Sequence, residues 1–300
     1  MNALDELMAT DAENAGRWRD NFRRFDPSLP DVFDTAAEMF NTFIRCTEGT
    51  QDESAEHRTL EQYAKAHGLT PEEVLRRIGG TEAGSMIPPE ARQAYIRMWA
   101  RRARAVLFLL LQRSYMWGAT DLLRMRLTSA EGYCRLEAEA IGLMLLIQDD
   151  PSVGERWLKV VADEEQGRAF FNSTQAKLKE RLRGIGLASA YDHGSAASQH
   201  VRLASAMHNL SWSETHAYLA YQEVRAEDPF MYFQGALGFL STQVHVFRVL
   251  KEVYPEVTDP IWDQRVRLFN REVARLWEQL AKRFPGRCEE SQKRIEGENP

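Results

Sequence analysis

The chain has little cysteine, little lysine and no long apolar run. Its three cysteines, Cys46, Cys134 and Cys288, stand far apart in 300 residues, and no CxxC pair occurs. No disulfide framework is implied, and a reducing cytoplasm is the expected setting. The first twenty residues, MNALDELMATDAENAGRWRD, carry neither the basic stretch nor the apolar stretch of a secretion signal. The longest apolar runs, AVLFLLL and IGLMLLI, fall far short of a membrane span, so no membrane partner is expected. Lysine is scarce at 7 residues against 31 arginines. That bias suits planar recognition of carboxylate and phosphate, and a general codon preference explains it equally. A net charge of −6 gives no global field that would draw in nucleic acid or an anionic membrane.

Catalytic and phosphate-binding signatures are missing as well. There is no GxGxxG, no Walker loop, no GxSxG elbow, no HExxH and no paired ExxH. The acidic pairs in QDDP and ADEEQ lack the DDxxD spacing of a diphosphate–metal site and read as helix caps or surface. No cofactor and no bound metal are expected. Sustained apolar–polar alternation with β-branched enrichment is also absent, which argues against a sheet.

What is present is helical periodicity nearly throughout, divided by cap signals. Asp31 reads as the cap of a helix to about Thr47, closed by Gly49. Pro89 opens a helix expected to reach Trp117 and stop at Gly118. Asp121 would cap the next, running to Gln148. Ser211 and Glu214 have capping-box spacing. Asp228 before Pro229 starts a helix to about Val253, and the TDP at 258–260 starts another that ends before Pro285. The expected fold is an all-α, irregular antiparallel helical bundle without a sheet. Its expected divisions are an N-terminal helical segment (1–57), a helical hairpin (58–80), a main bundle (88–285) and a frayed tail (286–300).

Three regions carry candidate chemistry. In the helix from Pro89, Arg97, Arg101 and Arg104 share one face, opposite Trp99, Val106 and Leu110. That face is expected to grip phosphates, to form salt bridges with neighbouring Glu and Asp, or simply to be solvated. From Ala105 to Leu111 the helix is apolar all round, which predicts central burial. Farther on, Glu131, Arg135 and Glu139 follow one another at steps of four, with Gly142 and Leu146 continuing the stripe. Glu139 is therefore expected to be partly buried, with Arg135 as its partner. Finally, four of the seven histidines, His193, His200, His208 and His216, crowd into 26 residues among small side chains. His200 and His208 are too splayed along a helix for a two-ligand metal site, and interhelix hydrogen bonding is their ordinary role.

Two resemblances add to this reading. LEQYAKAHGLTPEEVLRRIGG, residues 60–80, resembles the helix-turn-helix of bacterial DNA-binding proteins, with Ala64, Gly68, Leu69 and Val74 at the expected offsets. A DNA-binding regulator working through Arg76 and Arg77 is what it implies. Its second helix opens with Pro71-Glu72-Glu73, whose carboxylates would face phosphate, and a hairpin for packing or docking fits the same residues. The stretch from about 120 to 205 resembles the HEPN superfamily of helical proteins. The residues that carry it are Arg135, Glu139, Asp150-Pro151, Tyr191, Ser195 and His200. That resemblance implies a homodimer or a protein-binding module with Arg135, Glu139, Tyr191, Ser195 and His200 as binding residues. It also implies an alternative, a metal-independent RNase of toxin or phage-defence type, with Arg202 and His208 of RLASAMH as catalytic residues. In that alternative RNA would be the partner.

Overall fold

A computed structural model describes residues 19–20, 22–47, 54–79, 87–123, 127–160, 163–192, 228–255, 257 and 259–288. The fold is all-α, and among the described residues there is no strand. Nine helices of at least nine residues are described: α1 (Leu29–Thr47), α2 (Ser54–Ala66), α3 (Pro71–Gly79), α4 (Pro89–Leu123), α5 (Leu127–Asp149), α6 (Ser152–Val160), α7 (Glu164–Gly184), α8 (Pro229–Val253) and α9 (Trp262–Arg283).

Local chemistry sets most of the boundaries. Asp228 accepts hydrogen bonds from the N–H groups of Phe230 (3.0 Å) and Met231 (3.4 Å), as expected of the cap before Pro229. Asp150 accepts from the Ser152 N–H (3.0 Å) and starts α6, and Asp163 accepts from the Gln166 N–H (2.9 Å) and starts α7. Asp150 of QDDP and Asp163 of ADEEQ thus serve as caps, while Asp149 pairs on the surface with Arg181. Three boundaries differ from expectation. α9 begins at Trp262, past the TDP, because Asp259 ties the Ile261 N–H of the preceding turn (3.0 Å) and Ile261 itself offers no side-chain cap. α1 begins at Leu29, before Asp31, because Asp26 ties the preceding turn through the Ser28 N–H (2.7 Å) and hydroxyl (2.5 Å). α4 does not stop at Gly118 but runs on to Leu123, so Asp121 lies within it and not at the start of the next helix. Gly118 marks a close approach and not a terminus: a Cβ there would sit 2.4 Å from Cε2 of Phe239 on α8.

The main core lies between α1, α4, α5, α8 and α9. Aromatic rings dominate it, with Phe43 against Trp262 at 5.0 Å, Phe40 against Phe247 at 4.9 Å, and Tyr115 against Phe239 at 5.7 Å. Each such ring buried from water is worth about 1.5–3 kcal/mol. Their polar tips are satisfied across elements: the Tyr115 hydroxyl donates to the Phe33 carbonyl (2.5 Å) and the Tyr232 hydroxyl to the Leu122 carbonyl (2.7 Å).

A second, smaller core forms where the α2–α3 hairpin lies on the N-terminal third of α4. Leu60, Ala64 and Val74 pack there with Ala94, Tyr95 and Met98. Gly68 supplies the turn at φ +64°. Thr70 and Glu73 close a capping box: Glu73 accepts from the Thr70 N–H (2.8 Å), and the Thr70 hydroxyl accepts from the Glu73 N–H (3.2 Å). The division drawn at 57/58 falls inside α2, and the hairpin shares its core with the helix that opens the main bundle. Central burial of 105–111 is corrected too. Leu107, Phe108 and Leu111 are buried, but Val106 and Leu109 are 45% and 51% exposed.

Candidate functional site

Arg135 and Glu139 stand one turn apart on α5, and the Arg135 Nε donates to Glu139 Oε1 at 2.8 Å. Both side chains keep about a fifth of their surface, 21% and 19%. α7 then turns back at Ile185 and Gly186, and the short helical turn after it carries Tyr191. This brings the Tyr191 ring, buried at 4% exposure, beneath the Arg135 guanidinium at 5.2 Å. Lys179 of α7 approaches the same ring at 5.5 Å and reaches Asp192 Oδ1 at 3.0 Å. The result is one aromatic ring touched by two cations, each paired with its own carboxylate. A cation on such a ring is worth about 0.5–2 kcal/mol, rising with desolvation.

Arg135, Glu139 and Tyr191 thus lie together, and Lys179 and Asp192 join them. Ser195, His200, Arg202 and His208 lie outside the described residues, as do His193, His216 and the Ser211–Glu214 cap.

The arginine face of α4 is engaged internally. Glu56, at 5% side-chain exposure, receives Arg101 through both carboxylate oxygens: Nη1 to Oε2 at 3.1 Å and Nη2 to Oε1 at 3.1 Å. Arg97 Nε adds a longer contact at 3.6 Å. Arg104 donates to the Val253 carbonyl (2.7 Å) and lies 5.1 Å from the Tyr254 ring centroid. These residues fasten the hairpin and the end of α8 to α4. Arg76 and Arg77 are exposed on α3, within electrostatic reach of Glu73.

The site that sequence reasoning missed is Glu137, in the centre of the bundle. It is fully buried, and Gln243 Nε2 donates to its Oε2 at 2.6 Å. Burial pushes its carboxyl well above the usual range, and the bond from Gln243 offsets this only in part. Glu137 Oε1, Gln243 Oε1 and Ser114 Oγ have no hydrogen-bond partner among the described residues. The three residues form a layer. Gly118, Tyr133 and Phe239 meet at the neighbouring level; Ser114 lies four residues before Gly118, while Glu137 and Gln243 lie four residues after Tyr133 and Phe239. The missed signal was there: Glu137 shares a stripe with Cys134, Ile141 and Met144, all buried.

Among the described residues no helix is long and apolar enough to cross a membrane, and no group of three metal-ligating side chains occurs. Comparison with protein-family models, curated proteins and solved structures finds no match to the chain.

Proposed function

We propose that the chain is a binding and dimerisation module built on a HEPN-like core, working through contacts and not through a reaction of its own. One observation carries this reading. Six large apolar side chains among the described residues are exposed, and four of them, Val106, Leu109, Met116 and Trp117, lie on α4. Apolar surface gathered in one place marks an association face. The Arg135–Glu139–Tyr191 grouping supports the HEPN-like part, since it unites residues on which that resemblance rests. Its charges are already paired, which suits a platform that holds a polar group better than one that activates a nucleophile. Light scattering on the full chain tests the reading. A mass of two chains is expected, and a mass of one chain at every concentration overturns it.

A further inference from the structure

The exposed side of α4 has a period of its own. Arg102, Val106, Leu109, Arg113, Met116 and Thr120 follow at alternating steps of four and three. All but the partly exposed Thr120 are exposed. That is the 3.5-residue repeat of a helix seam awaiting another helix. Trp117 widens it toward α5, where it stands 6.0 Å from Tyr133.

The charge beside the seam says what fits it. α1 runs antiparallel to α4: Gln112 reaches Asn41 at 3.4 Å, while Tyr115 reaches back to the Phe33 carbonyl. The exposed row Asp31, Asp34 and Glu38 therefore flanks the Met116–Thr120 end, where Asp121 adds a further carboxylate. The other end is basic, with Arg102 in the seam and Arg45 of α1 beside it. A seam acidic at one end and basic at the other complements its own reverse, whereas parallel pairing would set like charges together.

We infer that α4 pairs antiparallel with α4 of a second copy of this chain, about a two-fold axis near Leu111. This rests on the dimer reading above and gives it a surface. Val106 of one copy meets Met116 of the other, and Leu109 lies against the aliphatic stem of Arg113. Arg102 reaches the partner's acidic row at Asp34, whose contact within its own chain is Arg19 at 3.7 Å.

Sedimentation of the full chain over a concentration series, with far-ultraviolet circular dichroism as the check on folding, tests this. Leu109 is exposed, so Leu109→Glu keeps the helical spectrum and is expected to weaken self-association about 100-fold or more. Arg102→Asp weakens it about 10-fold, and adding Asp34→Arg restores it. Val106→Cys with Met116→Cys yields chains linked by a disulfide under mild oxidation. A dimer untouched by Leu109→Glu and uncrosslinked by the cysteine pair overturns the seam and leaves the dimer reading standing. A wild-type monomer overturns both. Failure of the charge swap to recover what Arg102→Asp loses overturns the antiparallel register.

Discussion

At the scale of single residues, Glu137 is the most consequential group. The fold raises its pKa above the ordinary value of about 4.3, so the folded chain keeps a proton that the unfolded chain gives up. Below that pH both states hold the proton and the contribution is whole. As pH rises from there toward the folded value, stability falls by up to about 1.4 kcal/mol per pH unit. Glu137→Gln keeps the shape and removes the titration. Denaturant unfolding across pH 5 to 8 is therefore expected to show a wild-type stability that declines relative to Glu137→Gln as pH rises. A constant difference between the two would show that Glu137 titrates alike in both states. The comparison cancels His245, which burial and then Arg248 push below its usual value. Tyr115 and Cys134 are the titratable groups within electrostatic reach of Glu137, and burial raises both well out of this range. Glu139 was legible as partly buried because Gly142 and Leu146 continue its stripe, and its partner was legible because Arg135 lies four residues away. The burial of Glu137 was readable from its stripe with Cys134, Ile141 and Met144, but its partner was not, because Gln243 lies 106 residues on and no periodicity says which two helix faces meet.

At the scale of elements, the hairpin is held by one small apolar core and one buried carboxylate. Glu56→Ala leaves Arg101 without its bidentate partner and is expected to cost about 1–3 kcal/mol. That loss should be local. Hydrogen exchange is expected to speed across residues 54–79 while α8 amides keep their protection. Equal acceleration in both would mean that the hairpin and the bundle open as one unit. A helix start was readable where the cap is a short-range device followed by proline, as at Asp228; Asp150 and Asp163, read only as caps or surface, start helices as well. The error at Gly118 has a physical source. A glycine ends a helix or lets a neighbour in, and only the Phe239 ring, 121 residues downstream, decides between them. The exposed seam was misread for a related reason. A run apolar all round looks buried from its own residues, and which side lacks a neighbour is a property of the assembly.

At the scale of the whole molecule, α4 belongs to both cores, so the hairpin and the bundle are joined by continuous helix and not by a linker. If association through α4 is linked to folding, the melting temperature is expected to rise with protein concentration in the wild type and to stay constant in Leu109→Glu. Calorimetry over a 100-fold dilution reads this directly, and a wild-type value independent of dilution would remove the linkage.

The 35 residues of α4 make a rod of about 50 Å. The hairpin grips it near Tyr95, some 16 positions from the proposed axis. Two rods laid head to tail would then carry their hairpins at opposite tips, about 50 Å apart by the helical rise. In such an assembly the spacing of the two hairpins would be set by the length of α4 alone.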